Sequence, residues 1–244
     1  MFDSFLQGQQ VLVLGGTSGL GLATAAGALR AGAQVHVGGR DPQRLAEALA
    51  QLGSKASGAC VDLADEGSVQ AFFAPFHAPL AQVDHLVVCA ANNPPARLID
   101  GDLAALRTSL DSRFWGAVHA LRAVAPCLAP QGSVLLTSGM VSQRPRPGMA
   151  MVAAAASAVE SLARSLVSEL APRRINVINP GPMHTPLLER ALGGQAQALQ
   201  GLADLQPLKR LGRAEDFAQT ALFAMGNRQL NGAVLHLDGG ARWA

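Results

Sequence analysis

Gly15, Gly19 and Gly21 close the run Val11-Leu12-Val13-Leu14-Gly15-Gly16-Thr17-Ser18-Gly19-Leu20-Gly21. Their spacing suits chemistry done by backbone amides rather than by side chains. Gly15 permits a sharp turn out of a strand, Gly19 lets the backbone approach a diphosphate, and Gly21 permits close helix–strand packing. A helix starting near Gly19 would offer free N–H groups and the positive end of its dipole to phosphates. Thr17 and Ser18 add hydroxyl donors, and Leu20 lies in the same amide-bearing turn. A glycine turn of purely structural purpose is the competing reading; the strand–turn–helix context favours a dinucleotide.

The end of the second strand bears on which dinucleotide. Gly38-Gly39-Arg40 carries no carboxylate to accept the adenosine ribose hydroxyls. Arg40 instead supplies a forked cation suited to a 2′-phosphate, with Arg44 one helical turn on. Asp41 is the counterargument, since its carboxylate is close enough in sequence to serve the ribose. The balance predicts NADP(H), with NAD(H) as the alternative. Asp62, after the third strand, either accepts from the adenine amino group or caps the turn that starts at Leu63.

Other chemistries find less support. Cys60, Cys89 and Cys127 form no CxxC pair, and Cys89 reads as a small buried residue rather than a nucleophile. The six histidines form no short-range ligand cluster, so no metal site is expected. A formal charge of +2, from 19 Lys+Arg against 17 Asp+Glu, gives no case for nucleic acid. Only Lys55 and Lys209 among those cations are lysines. The opening MFDSFLQGQQ lacks the basic and apolar stretches of a secretory leader, and the apolar run at Met149–Ala158 is too short to span a bilayer. The expectation is a cytoplasmic protein with no membrane partner.

Seven short apolar runs are expected to be strands: Val11–Leu14, Val35–Val37, Ala59–Val61, Leu86–Cys89, Val134–Thr137, Ile175–Ile178 and Val234–Leu237. They are mostly continuous rather than alternating, as central parallel strands buried on both faces should be. Helical patterns fall between them at Gly19–Ala31, from Pro42, at Ser68–His77, Asp102–Cys127, Met149–Leu170 and Glu215–Met225. Glu160 and Arg164 are spaced to pair along one helix face. Strand and helix taking turns predicts an α/β fold: a Rossmann-type doubly wound parallel sheet of about seven strands flanked by helices. No linker divides residues 1–244, so one dinucleotide-binding domain is expected. Residues 182–210, with a loose helix at Leu187–Leu199, read as a flap on the substrate side.

Four signatures in order resemble the short-chain dehydrogenase/reductase family, and the resemblance covers nearly the whole chain. They are the glycine turn Gly15–Gly21, the pair Asp62-Leu63, the stretch Arg174-Ile175-Asn176-Val177-Ile178-Asn179-Pro180-Gly181, and Leu237-Asp238-Gly239-Gly240. The resemblance implies that Asp62 and Leu63 contact adenine and that Pro180 and Gly181 border the nicotinamide. It places Ala90 and Thr185 on the cofactor side too. It also implies a homodimer or homotetramer packed through the two long middle helices.

The family's chemistry rests on a tyrosine, a lysine four residues on, a serine thirteen residues before the tyrosine, and an upstream asparagine. In this sequence those positions match Val152, Ala156, Gly139 and Arg113, and the chain contains no tyrosine. The family's turn after the fourth strand is degraded to Val88-Cys89-Ala90-Ala91. Ser138 at a strand end, Arg113 and His184 are the candidate replacements. Each has a plainer alternative: a strand-terminating serine, an arginine paired with Asp111 or Asp100, and an exposed loop histidine. Arg144 and Arg146 hint at an acidic substrate or effector. Three functions remain open: hydride transfer with a small carbonyl or alcohol by an atypical site, NADP(H) binding without turnover as a sensor or partner subunit, and reduction of a polarised carbon–carbon double bond.

Overall fold

The computed structural model describes residues 5–78, 82–90 and 95–244. Ala91 of the degraded turn and Met1–Ser4 of the opening segment lie outside the described residues. In chain order the elements are β1 (Gln10–Leu14), α1 (Gly19–Arg30), β2 (Gln34–Gly39), α2 (Pro42–Leu52), β3 (Ala56–Cys60), α3 (Glu66–Phe73) and β4 (Val83–Val88). Then come α4 (Leu103–Ser109), a π-helical segment (Leu110–Trp115), α5 (Gly116–Val124), β5 (Leu128–Thr137), a 3-10 turn (Met140–Ser142), α6 (Ala150–Ser165) and α7 (Val167–Leu170). The chain closes with β6 (Arg174–Pro180), β7 (Met183–His184), α8 (Pro186–Ala191), α9 (Ala196–Asp204), β8 (Gly212–Arg213), α10 (Ala214–Gly226) and β9 (Val234–Leu237).

Seven strands form one parallel sheet in the order β3-β2-β1-β4-β5-β6-β9. Every expected strand takes part. The order reverses between β1 and β4, the crevice position at which such sheets place ligands. Alternate residues of each strand face opposite helical layers. Leu12, Leu14, Leu86, Leu136 and Val177 face α3, α5 and α6. Val11, Val13, Val87, Leu135 and Ile178 face α1 and α10. Aromatics are 4% of the chain, so small and branched aliphatic side chains dominate both layers.

Four helical expectations change. Met149–Leu170 divides at Leu166 into α6 and α7, and Ser68–His77 is α3, from Glu66 to Phe73, followed by a 3-10 turn. The stretch expected as one helix over Asp102–Cys127 is interrupted by the π-helical turn, and it ends at Val124 because Leu128 already pairs with Val83 in the sheet. The expected helix over Leu187–Leu199 is two helices, α8 and α9. Gly193 and Gly194 between them have φ of 64° and 69°, a left-handed conformation that no helix continues through. The third strand also starts earlier than its apolar residues suggested, at Ala56.

Candidate active site

The cofactor-side residues converge as their order in the chain requires. β1 enters Gly15, whose φ is 83°. A Cβ there would sit 2.6 Å from the backbone nitrogen of Ala90, so glycine lets the turn close against the end of β4. Gly21 is tighter still: its Cβ would lie 2.1 Å from the carbonyl oxygen of Gly15. α1 can therefore start directly behind the turn and aim its first amides outward. Ser18 is the N-cap residue of α1, yet its side chain makes no capping bond there.

In front of that turn is a cavity of about 660 Å³. Gly15, Thr17, Ser18, Gly19, Leu20 and Gly21 form its floor, and Arg40, Asp62, Leu63, Ala90 and Thr185 contribute to its walls. Pro180 ends β6 and Gly181 follows it; neither of these two expected cofactor residues lines the cavity. The Gly181 amide donates to the carbonyl of Leu237, and a Cβ on Gly181 would come within 2.8 Å of the Asp238 backbone. Thr185 caps α8 by accepting from the Leu188 amide at 3.4 Å. Its side chain lies 3.5 Å from where a Gly19 Cβ would be, so the root of the 182–210 segment rests on the glycine turn. A cradle in which added Cβ atoms would collide at Gly15 and Gly21 fits a dinucleotide diphosphate held by backbone amides.

The adenosine end is basic. Asp41 is the N-cap of α2, where its carboxylate accepts from the amides of Gln43 and Arg44 at 2.9 and 3.3 Å. Its other oxygen is 3.5 Å from the Arg44 guanidinium. That carboxylate is occupied by its own helix, whereas Arg40 is exposed at the cavity wall with no ion pair among the described residues. Asp62 does cap a turn: Oδ1 accepts from the Ala64 amide at 3.0 Å. Sequence reasoning missed a third arginine, Arg190 of α8, which lines the same cavity. Only the folding of the 182–210 segment over the glycine turn brings it there.

The proposed catalytic residues do not all meet. Arg113, in the π segment, donates from Nη1 to the carbonyl oxygens of Thr137 and Ser138 at 2.9 and 2.8 Å. Its expected partners are absent: Asp100 pairs with Arg97 instead. Burial pulls the Arg113 guanidinium down to about 10. The Ser138 side chain is 2% exposed, and its Oγ has no hydrogen-bond partner. His184 stands apart on β7, with Nε2 2.9 Å from Glu189 Oε1 and half of its side chain exposed. Arg144, in the loop after β5, donates to the carbonyl of Ala241. Cys89 lines the cavity, but burial pushes its thiol up to about 12, so it stays protonated.

Around Val152 and Ala156 the protein is closed rather than hollow. Val152 is 3% exposed and Ala156 is fully buried. Gly139 differs: its backbone is extended, and an added Cβ would meet only Val141 Cγ1 at 3.9 Å. One turn beyond Ala156, Glu160 corrects another expectation. It does not pair with Arg164 along the surface. It is buried, accepting from Ser142 Oγ at 2.9 Å and from Asn179 Nδ2 at 2.6 Å.

Among the described residues, no helix is long and apolar enough to cross a membrane, and no group of three metal-ligating side chains converges. A second cavity of about 490 Å³ lies between Pro182, Leu208, Phe223 and Asp238, and none of the expected site residues lines it.

A protein-family profile described as "Enoyl-(Acyl carrier protein) reductase" matches residues 15–242. The short-chain dehydrogenase/reductase ucsE of Acremonium sp is 33% identical over 97% of this chain and 96% of its own. The short-chain dehydrogenase/reductase malC of Malbranchea aurantiaca is 29% identical over 96% of this chain and 95% of its own. A solved structure titled MalC Reductase/Diels-Alderase, from the same organism, superposes with a TM-score of 0.89, 28% identity and 99% coverage of both chains. With strand order, glycine turn and closing Pro-Gly turn all in place, the chain belongs to the short-chain dehydrogenase/reductase family of oxidoreductases.

Proposed function

We propose that residues 1–244 form one NADP(H)-binding domain, with 182–210 as its substrate-side flap, that transfers hydride to or from a small carbonyl or alcohol without a tyrosine donor. The observation that carries the cofactor assignment is the contrast between neighbours: Asp41 is held by its helix cap and Arg44, while Arg40 is unpaired at the cavity wall. A 2′-phosphate would find a forked cation there, beside an Asp41 carboxylate already engaged by its own helix. Bound NADPH would supply the hydride. In the reductive direction the carbonyl carbon takes that hydride and its oxygen takes a proton from water.

The chain's own part is to stabilise the developing negative charge. Ser138 Oγ, just beyond β5, is unpartnered and enclosed, so it would act once a substrate oxygen displaces the packing over it, and the partly buried Arg113 guanidinium holds the Ser138 carbonyl. His184 is a proton-exchanging group at the root of the flap. Positioning supplies much of the remaining rate. A relative named as a reductase supports the reductive direction. Arg144 and Arg146, exposed in the loop after β5, would suit an acidic substrate. Assembly as a homodimer or homotetramer is part of the same reading.

Two alternatives each have an observation behind them. The closed packing at Val152 and Ala156 favours an NADP(H)-binding sensor or partner subunit without turnover. The matching profile's description favours reduction of a polarised carbon–carbon double bond, where no protein donor to oxygen is needed. Calorimetric titration with NADPH and NADH, followed by ketones, aldehydes and enones with NADPH, separates all three. Turnover of ketones or aldehydes lost in Ser138→Ala supports the main reading, turnover of enones alone supports the third, and tight binding without turnover supports the second. Failure to bind either nucleotide removes all of them.

A further inference from the structure

Glu160 is a buried carboxylate, at 7% exposure, and among the described residues no cation lies within ion-pair distance of it. It is held by two dipoles: the Ser142 hydroxyl at 2.9 Å and the Asn179 amide at 2.6 Å. The Asn179 amide also donates to Ser142 Oγ at 3.0 Å, closing a three-membered network. Its members come from three different elements: α6, the 3-10 turn after β5, and the end of strand β6. Asn179 itself is fully buried and immediately precedes Pro180 and Gly181.

A buried ionic group stabilises a fold poorly compared with an apolar residue of its size. Val159 and Ala163, its neighbours on α6, show what an ordinary core contact looks like at this depth. The network therefore calls for another purpose, and its location supplies one. Glu160 lies at the fourth residue after Ala156 and the eighth after Val152, on the helix face that carries both. It reaches the two rim segments that border the space above: the Gly139–Ser142 turn and the Asn179–Gly181 turn. The carbonyl oxygen of Asn179's side chain is buried with no partner, so the network is not a saturated core brace.

We infer that Glu160 is a positioning residue that fixes the Pro180–Gly181 turn and the Gly139–Ser142 turn against α6, and so sets the nicotinamide half of the dinucleotide site. This rests on the dinucleotide reading above. Loss of the Glu160 carboxylate would leave the Asn179 amide and the Ser142 hydroxyl without their shared acceptor. The Asn179–Gly181 turn would then relax, while Arg40 and the glycine turn, on the other side of the sheet's reversal point, would not feel it.

Calorimetry with two probes tests this. NADPH spans both halves of the site, whereas 2′,5′-ADP occupies only the adenosine half. Glu160→Leu is expected to weaken NADPH about tenfold while leaving 2′,5′-ADP within twofold, and Glu160→Gln, which keeps an oxygen acceptor, is expected to restore most of the loss. Equal affinity of the Leu variant and the parent for NADPH overturns the inference, as does a parallel loss for both probes in a folded variant. If Glu160→Leu fails to fold, Ser142→Ala decides, with a selective loss of about threefold for NADPH expected and an unchanged affinity overturning it. A parent protein that binds neither probe removes the dinucleotide reading itself, which is a different result from a parent that binds both and a variant that does not differ.

Discussion

Arg113 Nη1 donates to the carbonyl oxygen of Ser138 at 2.8 Å, so a side chain from the π segment grips the backbone at the rim end of β5. The same nitrogen reaches the Thr137 carbonyl at 2.9 Å. A π-helical turn adds one residue to a helical repeat and commonly occurs at functional sites. Here it lies in the stretch that delivers this guanidinium. Arg113→Met should remove two charge-assisted bonds to buried carbonyls and cost about 3 kcal/mol. A urea midpoint unchanged from the parent would show that the grip is incidental.

Cofactor choice is expected to turn on Arg40. Arg40→Ala should weaken NADPH by at least tenfold, roughly 1.4 kcal/mol, and leave NADH nearly unchanged. Fluorescence titration with both nucleotides reads this directly. Equal losses for the two would assign Arg40 to the diphosphate or to the surface.

Arg190 should behave differently. It lines the cavity from α8, beside the root that rests on Gly19. Arg190→Ala is expected to weaken NADPH and NADH by the same factor, about three- to tenfold, because both carry the diphosphate. A selective loss for NADPH would move its contact to the 2′-phosphate.

His85 gives the fold an acid limit. Its Nδ1 is 2.8 Å from Ser133 Oγ and its Nε2 2.9 Å from Gln9 Oε1. A neutral ring with one donor and one acceptor satisfies both partners. Burial, helped by the Arg174 cation, lowers its pKa to about 4. The folded protein thus binds this proton less tightly than the unfolded chain does. The contribution is complete above about pH 6.5, shrinks as pH falls, and is gone below about pH 4. It amounts to about 3 kcal/mol at most. Urea unfolding at pH 7 and pH 4.5 should show a smaller drop in His85→Phe than in the parent; equal drops would place the acid limit elsewhere.

Rebuilding the family's polar residues should succeed at one position and fail at another. Gly139→Ser meets open space on extended backbone, so its melting temperature should stay close to the parent's. Ala156→Lys forces a charged side chain into a fully buried position and should cost 3 kcal/mol or more. Thermal melting of the two single variants is sufficient, and a well-folded Ala156→Lys protein would show that α6 has room above it.

Much of the architecture could be read before folding because buried parallel strands leave uninterrupted apolar runs. All seven leave an apolar trace, though His36 and His236 interrupt two of them and β3 buries none of its residues. The glycine turn was equally legible, since Gly15 and Gly21 answer to steric needs that any sequence of this shape must meet. What escaped was set by contacts distant along the chain. Nothing local to Arg113 shows that it will bind carbonyls 24 and 25 residues away. Glu160 sits four residues from Arg164, and helix spacing alone pairs them; the burial of one face of α6 decides otherwise. Gly193-Gly194 was the missed local signal, because two consecutive glycines were reason enough to divide α8 from α9.

Every strand of the main sheet runs the same way, so the apolar layers lie below one edge and the polar groups discussed above gather along it. The two functions of the chain, holding shape and handling ligands, are thereby kept in different storeys of the molecule. Such a building can be refitted upstairs while its foundations stand. Side chains along that edge can therefore be exchanged without disturbing the layers beneath them.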